Sequence, residues 1–345
     1  MTLPPPAAVR PKRKINLQAV GIYLAAIVLF AVLGSLNPNF LTVNNLRDVA
    51  VSASVNAIIG IGLTFVIITA GIDLSVGAIA SFVGIVSANL MVNEGVPAML
   101  GLLLGIFLGI LCGVINGLLV TKLRLPPFIA TLGTMSVFQG CAYVATNGRP
   151  VYDIPAEFVM ILNSYVFGIP VVVIVVAVVA IGAWLLLRKT VFGQNVIAVG
   201  GSEETAWLSG VRVHRVKIAV YAIAGGLSAL GGLVIVARIN AAQPDAGASY
   251  QLTAIAAAVI GGANLMGGEG RIAGTLVGAL ILGALTNGLV LLNVPSFYEQ
   301  IVTGLVVLIA VILDQTSKDW SMFSRGKKRK EVAAPPTATH PSVKI

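Results

Sequence analysis

Apolar runs follow one another along this chain with only short polar breaks. They cover residues 17–36, 50–70, 73–91, 96–120, 128–146, 168–187, 217–237, 250–263, 272–292 and 297–313. A helix needs about 20 apolar residues to cross the hydrocarbon of a bilayer. All but one of the runs come near that length. The eighth is short, about 14 residues, and reads as broken or partly re-entrant. Composition closes the water-soluble route. Only 10% of the 345 residues are charged and 57% are hydrophobic, whereas a soluble domain carries about 25% charge. The bilayer must be the solvent. The expected fold class is an all-α polytopic membrane protein of about ten transmembrane helices.

Two tails stand apart from the 17–315 membrane domain, and a polar loop interrupts it. Residues 1–16 form a Pro-rich basic tail. No small-residue cleavage pattern follows it closely, so the first helix is read as uncleaved. Segment 147–167 is read as a polar loop holding Arg149, Asp153 and Glu157. Residues 316–345 are basic and then compositionally disordered.

Orientation follows from Lys and Arg. If the N-terminus is inside and the runs alternate, only Arg47, Arg149 and Arg238 of the 22 Lys and Arg residues fall outside. That asymmetry places both termini in the cytoplasm. It also explains the net charge of +9 without a nucleic-acid partner.

Segment 188–217 is the longest polar insert. It carries Arg188, Lys189, Arg212, Arg215, Lys217 and the adjacent acids Glu203 and Glu204. In so apolar a chain it must face water, where a soluble partner can grip it.

The chain resembles itself once. Ala70–Ala80 aligns without gaps on Ala246–Ala256, Asn116-Gly117-Leu118 on Asn287-Gly288-Leu289, and Pro126-Pro127-Phe128 on Pro295-Ser296-Phe297. The landmarks keep their order, and the two copies enter the membrane from opposite sides. This is an inverted repeat, a mark of transporters whose path lies between the halves. Gly101, Gly105, Gly109, Gly113 and Gly117 fall every fourth residue, as do Ala224, Ser228 and Gly232. Such stripes let helix backbones approach closely.

Catalytic chemistry is missing. There is no GxxxxGK[ST] phosphate loop, and the two His residues, His214 and His340, both lie on the cytoplasmic side. Neither a metal centre, a cofactor site nor an enzyme is expected. Cys112 and Cys141 read as small buried apolar residues. Asp73 is placed at the inner edge of the third span. There it caps the helix by accepting from the N–H of Ser75 or Val76, or it serves a gate or path together with Ser75. No carboxylate is evident deep in the spans, so the energy for transport is expected from a partner.

The motifs GIDLSVGA (71–78), NGLLVTKLRLPPFIATLGT (116–134) and GGANLMGGEGRIAGTLVGALILGALTNGL (261–289) resemble the permeases of bacterial ATP-binding-cassette importers for ribose and related monosaccharides. The resemblance runs over about residues 17–315. It implies a vitamin B12-importer-like fold of ten helices in the bacterial inner membrane. It also implies a second permease subunit, most simply an identical copy, a separate cytoplasmic ATPase and a periplasmic sugar-binding protein. Such permeases carry a cytoplasmic E-A-A-x-x-x-G coupling element. Here Glu204, Thr205, Ala206, Trp207, Leu208 and Gly210 match it, with Thr205 in place of the first Ala and Glu203 just before. Gly210 suits a left-handed C-cap; Trp207 and Leu208 suit an apolar anchor. Read from residues alone, the same segment is equally an ordinary amphipathic loop helix. Asn116 and Asn287, matched across the repeat, are read either as path or gate residues or as interhelical hydrogen-bonding groups. Three alternatives stay open: an ion-driven secondary transporter, a structural membrane subunit, and an importer permease for nucleosides or branched-chain amino acids.

Overall fold

A computed structural model describes residues 17–308 except 296, 299 and 307, with side chains from Gly21 onward. The expected tails, 1–16 and 316–345, and the end of the last run lie outside the described residues. The elements in order are α1 (Leu17–Leu36), α2 (Val43–Ile68), α3 (Val76–Val92), α4 (Ala98–Thr121), α5 (Pro127–Thr146) and α6 (Ala156–Asn163). A two-residue hairpin follows, β1 (Tyr165–Val166) antiparallel to β2 (Ile169–Pro170). Then come α7 (Val171–Lys189), α8 (Val191–Gly201), α9 (Glu203–Leu208), α10 (Val213–Ile239), α11 (Ala248–Ile260) and α12 (Ile272–Leu291). The described residues of 297–308 are helical again.

Among the described residues, six helices are long and apolar enough to cross a membrane: α2, α4, α5, α7, α10 and α12. The protein is a multi-pass, all-α membrane protein. α3 and α11, with 17 and 13 residues, fall short of a full crossing. They begin close together, and the chain reaches each of them by turning back into the protein. α2 and α10 form the centre. Of the apolar window of α2, 89% is buried, against 22% for α7, whose outward face is left for lipid.

Small residues set the packing. Gly109 of α4 lies against Gly225 and Ala229 of α10, Gly113 against the backbone of Tyr221 and Ala222, and Gly117 against Ile218. At Gly113 a Cβ would overlap the Tyr221 carbonyl oxygen, so the stripe on α4 is the contact itself. α12 meets α2 in the same manner, through Gly283 on Ala53 and a 2.7 Å hydrogen bond between the hydroxyls of Thr64 and Thr275. α3 lies on α10 through Ala80 and Gly232, as α11 lies on α2 through Ala254 and Gly60.

Charges separate to two ends. Arg238 donates to Ser52 near the start of α2, and Val151, two residues after Arg149, pairs with Ala242 beyond α10. Arg47 reaches Gly168 in the hairpin. At the other end Lys217 pairs with Glu203 at 2.6 Å, and Gly268 N–H donates to Ile68 at the end of α2.

Several expectations need correction. Segment 147–167 is not a simple polar loop: α6 buries Phe158 and Leu162, because its apolar residues fall on one face. Segment 188–217 does not lie wholly in water. Val196 and Val199 of α8 are buried, and Gly200 is pressed on Ile68 and Gly268. Its apolar residues sit four apart or nearly so, a period a hydropathy average hides. Cys112 is buried, but Cys141 is exposed on the outer face of α5.

Candidate translocation site and coupling helix

α2 ends at Thr69, and Ala70 takes a positive φ of 56° to reverse the chain. Gly71 N–H then donates back to Val66, which ties the returning segment to α2. Residues 71–75 run without helix until α3 begins at Val76. Asp73 is therefore not at an exposed edge: it is 1% exposed. A buried carboxylate thus sits where an edge residue was expected. The hydropathy run starts three residues before the helix does, so the acid enters on a buried extended segment.

Asp73 Oδ1 accepts from Ser75 N–H at 2.8 Å and from Ser75 Oγ at 2.6 Å. The residue at the cap position is Ser75 rather than Asp73. Ser75 Oγ in turn accepts from Asn116 Nδ2 at 2.7 Å, and Asn116 Oδ1 accepts from Thr134 Oγ1 at 2.6 Å. Thr131 Oγ1 donates to the Ile72 carbonyl at 3.1 Å. Asp73, Ser75, Asn116, Thr131 and Thr134 are all buried. The chain of bonds joins the start of α3 to α4 and α5. In a low-dielectric interior such a linked set is stiff and expensive to break in part. Asp73 Oδ2 and the Tyr221 hydroxyl, both buried, have no partner among the described residues.

Sequence reasoning singled out Asp73, Ser75 and Asn116, and these the fold brings together. It missed Thr131, Thr134 and Tyr221. The signal for the threonines was two hydroxyls three residues apart inside an apolar run. Asn287 lies apart, near the far end of α12, and its Oδ1 is buried without a partner among the described residues. The two matched asparagines thus differ in state.

The second copy of the repeat enters at Gly247, which caps α11. Gly77 and Gly247 touch, and Gly247 N–H donates to Ser81 Oγ at 2.8 Å. The N-terminal ends of α3 and α11, the ends that carry partial positive charge, meet inside the protein.

At the charged end, α9 is a one-and-a-half-turn helix. Ser202 Oγ caps it by accepting from Thr205 N–H. Gly210 closes it with φ +84°. Gly210 N–H donates to Trp207 and Val211 N–H to Ala206, the paired bonds of a Schellman motif. Ala206 is buried, whereas Trp207 and Leu208 are 67% and 71% exposed. Glu203 is tied to Lys217, while Glu204 is exposed and makes no ion pair among the described residues. The result is a short stiff helix with two large apolar side chains facing outward.

Comparison with known proteins agrees with this architecture. The family model described as "Branched-chain amino acid transport system / permease component" matches residues 45–311. The chain is 48% identical over 301 residues to the ribose import permease protein RbsC of Bacillus subtilis (strain 168), covering 87% of this chain and 93% of that protein. It is 40% identical to the D-allose transport system permease protein AlsC of Escherichia coli (strain K12), over 86% of this chain and 91% of that one. The L-arabinose transport system permease protein AraH of the same strain is 36% identical, over 86% and 90%. No solved structure matches. The matches span most of the chain on both sides, and the chain belongs to the branched-chain amino acid transport system/permease component family.

Proposed function

We propose that this protein is the transmembrane permease of an ATP-binding-cassette importer that carries ribose across the bacterial inner membrane. Relatives named for ribose import are 44–48% identical to this chain over 84–87% of its length. The observation that carries the mechanism is α9: Trp207 and Leu208 stand exposed on a helix fixed at both ends, at the end of the molecule rich in Lys and Arg.

In this reading both termini are cytoplasmic. Two copies of a ten-helix, vitamin B12-importer-like subunit enclose a path, and a periplasmic binding protein delivers the sugar. A separate ATPase receives α9 in a groove through Glu203, Glu204, Thr205, Trp207 and Leu208, while buried Ala206 and the turn at Gly210 hold the helix on the permease. ATP binding moves α9, and the motion passes through α8, whose Gly200 is lodged against the end of α2. The inverted halves, 43–146 and 213–308, supply the moving surfaces. The parallel contacts of α4 with α10 and of α12 with α2 support that division. Asp73, Ser75 and Asn116 hold the first half in shape beside the path, and Asn287 is the matched position in the second.

The test uses the assembled transporter in proteoliposomes. Trp207→Ala and Gly210→Val should each lower ribose uptake and ribose-stimulated ATPase by about tenfold or more, as loss of an exposed aromatic anchor does. The membrane-inserted subunit should persist. Wild-type uptake in both variants would overturn the coupling role. A second reading, branched-chain amino acids as cargo, has the family description in its favour. It predicts that excess leucine, not ribose or allose, competes with uptake.

A further inference from the structure

At the charged end of the protein a cavity of about 310 Å³ opens between α1, the end of α7, α8 and the turn that leads into α12. Its charged wall residues are Arg188, Glu269 and Arg271. Among the described residues none of these three side chains makes an ion pair; the ion pair found there is Lys217–Glu203. Two arginines thus line one cavity, and neither is paired with a carboxylate among the described residues.

The surroundings fix the depth of this cavity. Tyr23 on α1 lines it and is half-exposed. On α7, Trp184 is half-exposed, and Lys189 Nζ lies 5.9 Å from its ring centre. Amphipathic aromatics and long cationic side chains collect where hydrocarbon gives way to headgroups. Deeper along α1, Leu24, Ile27 and Val28 are exposed, as are Val178 and Ile181 along α7. The two helices that flank the cavity therefore present lipid-facing surfaces that end level with it. A lipid with acyl chains along α1 and α7 would bring its headgroup to the cavity that Arg188 and Arg271 line.

We propose that this cavity binds the headgroup phosphate of a phospholipid, with Arg188 and Arg271 as its ligands. Arginine suits the role because its planar fork can donate two parallel hydrogen bonds to phosphate oxygens. Basic pockets between helix ends bind headgroups for the same reason. Glu269 lines the same cavity and leaves it a net charge of one positive unit, so a single anion is the most it balances. A bound lipid would join α1 and α7 to the turn 261–271, which is itself anchored on α2 through Gly268.

The experiment uses the purified full chain, stripped of lipid in detergent. Phosphatidylglycerol, glycerol 3-phosphate and diacylglycerol are added separately, and adducts are counted by native mass spectrometry alongside thermal unfolding. Wild type should retain one phosphatidylglycerol and unfold at higher temperature with it. Arg188→Gln/Arg271→Gln should bind it at least about tenfold more weakly, the loss expected when charge-assisted bonds to phosphate go. The circular dichroism of that variant without lipid, matched to wild type, shows that it is folded. Arg188→Lys/Arg271→Lys should recover part of the affinity. Equal adducts in wild type and the Gln variant would overturn the site. An equal effect of glycerol 3-phosphate would assign it to a soluble phosphate instead, and an equal effect of diacylglycerol would reduce it to acyl-chain contact; either overturns the lipid-phosphate assignment.

Discussion

Gly77 and Gly247 touch backbone to backbone where α3 and α11 begin. A Cβ on Gly77 would lie 2.6 Å from the carbonyl oxygen of Gly247, and a Cβ on Gly247 would overlap the carbonyl oxygen of Gly77. Both contacts are with main chain, so no side chain can turn aside. Gly77→Val and Gly247→Val must push the two helix ends apart. Each should destabilise by about 1–3 kcal/mol and abolish uptake, with Ala variants intermediate. Thermal unfolding and uptake measure this; a Val variant with wild-type stability would show that the helix ends do not need this approach.

Asn116 and Asn287 occupy matched positions but should respond differently. Asn116 holds Ser75 and Thr134 together. Asn116→Leu removes both bonds from a buried set, at about 1–3 kcal/mol. Asn287 Oδ1 has no partner to lose among the described residues, so Asn287→Leu should leave stability unchanged or raise it by about 1 kcal/mol. Denaturation in detergent decides between equal and unequal effects.

Tyr221 buries its ring but leaves its hydroxyl without a partner among the described residues. That hydroxyl pays desolvation with no bond in return. Tyr221→Phe should leave the unfolding temperature unchanged or raise it by a few degrees, about 1 kcal/mol of gain. A clear loss of stability would mean that the hydroxyl is bonded in the working protein.

Arg149 and Ser202 should lie on opposite sides of the membrane. The check places single cysteines at each, in a background carrying Cys112→Ala and Cys141→Ala, and treats intact cells with a membrane-impermeant maleimide. Arg149→Cys should label from outside and Ser202→Cys only after the cells are opened. The reverse pattern would invert the topology.

Much of the fold was legible because the bilayer imposes a simple rule on helix length. The short eighth run became α11, with 13 residues, and the glycine stripe of α4 became its contact with α10. What hydropathy misread was register and direction. It began the third span at Asp73, although the helix starts at Val76, and so put a buried acid at a surface. It treated 188–217 as one polar stretch, although Val196 and Val199 fall on one buried face. Averages over a window cannot see which face of a short helix a residue occupies.

The site was legible in its residue types and not in its connections. Asp73, Ser75 and Asn116 stood out as polar residues in apolar runs. Nothing in their order along the chain says that Ser75 bridges Asp73 to Asn116, or that Thr134 closes the set from α5. The amino-acid sequence by itself determined the solvent, the places of most apolar helices and the form of α9, since each depends on local composition or on a neighbouring cap. Only the tertiary structure decided that the half-length helices α3 and α11 meet at Gly77 and Gly247. That contact joins residues 170 positions apart, and it exists only because α2 and α10, packed at the centre, turn the chain back into the protein from opposite ends.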